Sequence, residues 1–158
     1  MGDKTDIFYF HTSEEAEAAF YSAFEMGDIN LMSALMADQN VSCIHPNSLP
    51  LIGREQVLSG WKEILENLSE PAFYPEILHR TVEGNDVGNT AIHLVAENIA
   101  ADHQLDSETS LVIATNVYIK QVNGWRMMLH HSSLPSFSEE PDLENDPAIT
   151  HSAPQTMQ

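Results

Sequence analysis

Histidine is the side chain best suited to proton transfer at neutral pH, and two of the chain's eight stand where a site could form. His131 closes the run WRMMLHH, and His45 lies in CIHP, between Cys43 and Pro46. An imidazole titrates near neutrality, so either could serve as general acid or base. Asn116 and Tyr118 belong to the preceding run, TNVYIKQV. An amide and a phenol two residues apart in a strand could hold a carbonyl or hydroxyl oxygen. Trp61 and Trp125 would add apolar walls. Together these six residues describe a small-molecule pocket with aromatic sides and few polar groups. Each also has a plainer reading. A strand histidine commonly satisfies itself on a backbone carbonyl, and tryptophans are core residues first. Asn116 could bond His131 across a strand pair and do nothing else.

Other chemistries find less support. Cys43 is the single cysteine, so no internal disulfide and no cysteine-based metal or redox motif can form. It reads as a small buried hydrophobe. His130 and His131 are neighbours, and neighbours in a strand point to opposite faces, so they cannot share one metal. His45, His93 and His131 are a conceivable zinc set, but nothing in their spacing specifies it, and no metal site is assigned. Glu97 is either a buried acid or a solvated strand residue. The chain has no glycine-rich phosphate loop, no serine or cysteine nucleophile motif and no dinucleotide fingerprint, so no cofactor is expected.

The elements that must position these groups centre on a hairpin. Asn123-Gly124 joins two apolar-rich runs and predicts a two-residue type I′ turn. That register pairs Val122 with Trp125, Lys120 with Met127, Tyr118 with Leu129 and Asn116 with His131. These residues share one face. Val117, Ile119, Met128 and His130 take the other, with Arg126. A loop longer by one residue would change the assignment. Both faces are largely apolar, so one covers a core and the other meets a second layer or a second copy.

Upstream, residues 1–11 read as a lead-in strand or arm. Thr12 and Glu15 form a capping box, and Ala16, Ala19, Phe20, Ala23 and Phe24 follow at helical spacing up to Gly27. Asp28 caps a second short helix. Val41 to His45 is a strand ended by Pro46, and HPNSLPLIG is a loop. A helix over 54–68 buries Val57, Trp61, Ile64, Leu65 and Leu68. Gly60 within it costs about 1 kcal/mol relative to alanine and suggests a close neighbour. Phe73 to Val82, interrupted at Pro75, and Thr90 to Ala100 are strands. Helices and strands are segregated, so the class is α+β. Residues 135–158 are proline-rich, acidic and without periodicity, and read as a disordered tail.

The 158 residues carry 24 acidic against 6 basic side chains, a formal charge of −18. Such a surface repels phosphate backbones and anionic membranes, which argues against nucleic-acid or membrane partners. No signal peptide or membrane-length apolar run is present, so a cytoplasmic location is the expectation.

The chain resembles the SnoaL-like branch of the nuclear-transport-factor-2-like superfamily. The matching marks, in order, are a leading helix ending in Gly27-Asp28, CIHP, GREQVLSGW (Gly53 to Trp61) and TNVYIKQVNGWRMMLHHSS (Thr115 to Ser133). The resemblance covers residues 12–134 and is nearest to uncharacterised members. It implies a cone-shaped, curved antiparallel sheet wrapped around a long helix, an internal pocket and homodimers through the outer sheet face. The superfamily includes ketosteroid isomerase, scytalone dehydratase, polyketide cyclases and a kinase association domain, so fold alone does not settle function. The catalytic set of ketosteroid isomerase cannot be placed on this chain, nor can the Asp–Arg–Asp set of limonene-epoxide hydrolase. The expected function is a homodimeric pocket protein binding a small, partly apolar organic molecule. One alternative is a cofactor-independent isomerase, dehydratase or cyclase using His131 or His45. Another is an oligomerisation module whose acidic tail recruits a partner.

Overall fold

Residues 8–68, 71–83, 89–100 and 108–136 are described by the computed structural model. Helix α1 (Ser13–Met26) begins where the capping box places it: the Thr12 hydroxyl accepts from the Glu15 N–H. The Glu15 carboxylate reaches back to the His11 N–H at 2.7 Å. Gly27 ends the helix in the left-handed conformation, φ 64°. Asp28 then caps α2 (Ile29–Leu35) by accepting from the N–H groups of Asn30 and Leu31. Helix α3 (Arg54–Asn67) has no side-chain cap at its start. Its first residue instead closes the far end of α2. The Arg54 guanidinium donates to the backbone carbonyls of Ser33, Met36 and Ala37 at 2.7–3.2 Å. These are among the carbonyls a helix end leaves without intrahelical donors.

Six strands follow the order β2-β1-β6-β5-β4-β3. They are β1 (Ser42–Ile44), β2 (Leu51–Ile52), β3 (Ala72–Glu83), β4 (Thr90–Ala100), β5 (Thr109–Gln121) and β6 (Gly124–Ser133). Every neighbouring pair is antiparallel except β1 with β6, which is parallel, so the sheet is mixed. The fold is α+β. Strand β2 was hidden in what the sequence reads as a loop. Pro75 does not interrupt β3, which is an edge strand, where proline is tolerated. The core lies between the helices and one sheet face, with Phe20, Trp61, Val57, Val95, Tyr118 and Met127 almost wholly buried. No described helix is long and apolar enough to cross a membrane.

The hairpin corrects the expected register. Its loop is Val122–Asn123 and Gly124 already belongs to β6, paired with Gln121. Asn123 does not take a positive φ, whereas Gly124 does, at 96°. A left-handed glycine directly after the two loop residues, with no positive φ at Asn123, is not the type I′ turn expected of Asn123-Gly124. The glycine has a second reason. The N-terminal arm crosses it, and a Cβ there would meet the Phe10 carbonyl oxygen at 2.7 Å. Trp125 and Met127 still share the face of Tyr118. Met128 is then an extra residue, with Val117 paired to Leu129 and Tyr118 to Met127. A one-residue bulge inverts every side chain beyond it. His130 therefore points inward, and His131, expected in the pocket, points outward and is exposed. Arg126 remains on the outer face, where it is covered by the arm. It donates to the Phe8 carbonyl at 2.8 Å and lies over the Phe10 ring. The expected tail lies, from residue 137, outside the described residues, as do residues 1–7 of the lead-in.

Candidate functional site

One register row carries most of the polar groups of the sheet's inner face. Arg80 pairs with His93, His93 with Asn116, Asn116 with His130 and His130 with Cys43, across five strands. Paired residues share a face, so β3, β4, β5, β6 and β1 each place one functional side chain under the helices. Helix α1 meets this row with Ser13, Glu17 and Tyr21, which recur every four residues on its buried side.

Two hydrogen-bond networks result. In the first, Tyr21 O–H donates to Glu97 Oε1 (2.9 Å), and Asn116 Nδ2 donates to the Tyr21 oxygen (3.3 Å). Asn116 Oδ1 then faces His130 Nδ1 at 2.6 Å. Direction propagates along the chain. An amide oxygen accepts only, so His130 carries its proton on Nδ1 and presents Nε2 as an acceptor. Burial holds His130 neutral, its pKa pushed down to about 3. Burial also raises Glu97 to about 7, with Glu17 as a nearby like charge and the Tyr21 hydrogen bond opposing the rise. Glu97 is thus a buried acid. In the second network, Glu17 is held between the Arg80 guanidinium and His93 Nδ1, and His93 Nε2 lies 3.1 Å from Ser13 Oγ. Among the described residues no group of His, Cys, Asp and Glu is placed to hold a metal. His131 is on the opposite face from His45 and His93, which removes the conceivable zinc set.

An aromatic cluster adjoins the first network. Trp61 packs edge-on against Phe20, Phe24 and His45, and its centroid is 5.6 Å from that of His130. Among the described residues the Trp61 Nε1 and Tyr118 hydroxyl groups are buried without a hydrogen-bond partner. His45 links this interior to the surface. Its ring sits 4.7 Å from Trp61 and 6.0 Å from His130. Its Nε2 lies 3.4 Å from Cys43 Sγ. Burial lowers the His45 pKa, so the ring is neutral at pH 7. Burial and Glu97 push the Cys43 thiol up to about 12, which leaves no thiolate to act as nucleophile.

His45 also lines a groove of about 560 Å³. One wall is the α3 face of Gly60, Glu63, Ile64, Asn67 and Leu68, residues at helical spacing. The other is the loop from His45 to Leu51, in which Asn47 takes φ 58° after Pro46 and the Ser48 N–H donates to the His45 carbonyl. That is a type II turn, with proline and a left-handed asparagine at its two centres.

The residues expected in the site therefore separate. His45 lines the groove and Trp61 lies directly behind it. Asn116 and Tyr118 are buried deeper, under the helices. Trp125 is a core residue near the arm. His131 is on the outer face. The groove's Glu63 and Asn67 were missed, as were Tyr21 and the inward His130. The spacing of Ser13, Glu17 and Tyr21 on a helix whose apolar stripe runs beside them was a readable signal for the α1 contribution.

Residues 14–136 match the family described as the SnoaL-like domain. The chain belongs to that family. Among solved structures this SnoaL-like chain is similar to a "Putative calcium/calmodulin-dependent protein kinase type II association domain" from Thiobacillus denitrificans. The two share 34% identity at a TM-score of 0.73, over 82% of this chain and 99% of that one. It is also similar to a "putative dehydratase from the NTF2-like family" of Streptomyces avermitilis, at 31% identity and TM-score 0.65, over 78% and 94% of the two chains. A ketosteroid isomerase-like protein from Erwinia carotovora shares the fold at 15% identity and TM-score 0.59, over 78% and 93%. No curated protein matches the chain.

Proposed function

We propose that this SnoaL-like chain is a homodimeric binding protein for a small, partly apolar organic molecule, seated in the groove between α3 and the His45–Leu51 loop. The groove carries the reading. Its volume of about 560 Å³ lies within the range of small-molecule sites. Its lining mixes Leu49, Leu51, Ile64 and Leu68 with a few polar groups, and Leu49 is 87% exposed, so a ligand there would cover it. Native mass spectrometry of the purified chain tests this. The expected result is a dimer carrying a small molecule that the groove-filling variant Ile64→Trp no longer retains. Retention by that variant would refute the site.

Dimerisation is supported by the outer sheet face. Ile92, Val117 and Leu129 form one cross-strand row there, and Ile92 is 45% exposed. A charge in that row, Val117→Glu, is expected to give a folded monomer in sedimentation analysis, and an unchanged dimer would exclude this face. The second reading is a cofactor-independent isomerase or dehydratase with His45 as its acid–base group. The observation favouring it is that His45, a groove-lining residue, also touches the Trp61–His130 interior. His45→Gln would then keep ligand binding and abolish turnover.

A further inference from the structure

Resting on the groove reading, the inference concerns the class of ligand. The polar atoms of the groove wall offer mainly acceptors. Asn67 Nδ2 donates one of its two protons to the Glu63 carbonyl at 2.8 Å, and its amide oxygen is an acceptor for a ligand. The Ser48 hydroxyl donates to the Pro46 carbonyl at 3.5 Å, so its oxygen also remains as an acceptor. Glu63 adds a carboxylate, which accepts only. No described ion pair engages Glu63.

Positive charge is absent from this wall. Among the described residues, Arg54 is taken up by the end of α2, Arg80 by Glu17, and Arg126 by the arm and its own strand. Lys62 pairs with Glu66 at 3.9 Å, and neither it nor Lys120 lines the groove. His45 is held neutral by burial. The chain as a whole carries −18. An anionic ligand would meet the Glu63 carboxylate, two neutral acceptor groups and no cation. A ligand with an ammonium head meets the same groups as partners, and its body meets Leu49, Leu51, Ile64 and Leu68.

We propose that the groove selects small apolar amines in their ammonium form and rejects carboxylates and phosphates. Three probes of one shape separate the possibilities: benzylammonium, benzyl alcohol and benzoate, titrated by calorimetry into the full chain at pH 7.5. The expected order is ammonium over alcohol over carboxylate, with the ammonium at least roughly tenfold tighter than benzoate, the equivalent of about 1.4 kcal/mol. Raising the salt concentration should narrow that gap, because the discrimination is electrostatic. Glu63→Gln should weaken the ammonium more than the alcohol. Ile64→Trp should abolish binding of all three. Benzoate binding as tightly as benzylammonium, with Ile64→Trp still abolishing both, would overturn the ammonium selection while leaving the groove as the site. Binding that survives Ile64→Trp, or no binding of any probe, would overturn the groove reading and the selection with it.

Discussion

His130 Nδ1 lies 2.6 Å from Asn116 Oδ1, and this bond exists because Met128 is an extra residue in β6. Without the bulge the register that starts at Gln121 and Gly124 would set Leu129 opposite Asn116, with His131 on the inward face and His130 among the half-buried residues of the outer face. One inserted residue thus decides which histidine is neutral, buried and fixed in tautomer. It also ties β6 to α1 through Tyr21 and to β4 through Glu97.

Asn116→Leu should be costly out of proportion to its size. The side chain is fully buried and bonds two partners, so its loss strands the His130 Nδ1–H away from water and removes one donor from the Tyr21 oxygen. Unsatisfied buried groups of this kind cost about 1–3 kcal/mol each. A loss of roughly 2–4 kcal/mol is expected in urea unfolding. The wild-type protein should show His130 protonated on Nδ1 alone in long-range ¹H–¹⁵N spectra at pH 7. A proton on Nε2 would mean that the network runs the other way.

Glu97 makes stability fall as pH rises. Its folded pKa, about 7, stands above the ordinary carboxyl value of 4.5. Between those values the folded state binds more protons than the unfolded chain, so stability declines from pH 4.5 to 7 and is level above. The span corresponds to roughly 3 kcal/mol. His130 acts in the opposite direction. Its pKa falls from 6.5 to about 3, so its contribution is complete above pH 6.5 and is lost as pH falls toward 3. Glu97→Gln keeps an acceptor for Tyr21 and removes only the first effect. Its stability relative to wild type should improve between pH 5 and pH 8, measured by urea denaturation at both. An equal difference at the two pH values would count against a buried, titrating Glu97.

Arg54 should behave as a structural clamp. It joins the start of α3 to the end of α2 through three carbonyls and the Ser33 hydroxyl. A lysine places one compact ammonium where the planar guanidinium serves several acceptors at once. Arg54→Lys should lower stability by about 1–2 kcal/mol and Arg54→Met by more, since charged hydrogen bonds contribute about 1.5–3 kcal/mol. Thermal melts with both variants within half a degree of wild type would show that the carbonyls are equally well served by water.

How far the sequence could be read follows the range of each signal. Caps act within four residues, so Thr12, Gly27 and Asp28 were legible: α1 begins and ends, and α2 begins, where expected. The apolar stripe of α3 was legible at Val57, Trp61 and Leu65, whereas Leu68, expected to be buried, lies past the helix end and is 42% exposed. The hairpin was legible as a hairpin, but its register was not. The turn depends on the arm crossing Gly124, and the bulge at Met128 falls where β6 changes neighbours. The bridge of Met36 with Met127 gives way there to β1 beside Leu129. Both are tertiary facts with no local signature. His131 was misplaced on that account, although Trp125, Tyr118 and Asn116, which precede the bulge or lie on β5, face inward as expected. The groove's Glu63 and Asn67 were hidden differently. On a helix wheel they belong to the solvent side of α3, and only the returning His45–Leu51 loop makes that side a wall.

Gly60 offers the clearest separation of stability from binding. The sequence suggested a close neighbour, and the neighbour is Leu51, whose Cδ1 would lie 2.5 Å from an added Cβ. The contact is with the end of a flexible, half-buried side chain, so it can be relieved by a change of rotamer. Gly60→Ala should gain about 1 kcal/mol of helix propensity and return part of it in displacing Leu51, for a net change within about 1 kcal/mol. Both residues line the groove, however, and any rotamer that clears the new methyl rearranges the groove's floor. The alanine variant should melt close to wild type yet bind benzylammonium several-fold more weakly. Unchanged affinity with an unchanged melt would place the binding surface away from Leu51, toward the Leu68 end of the groove.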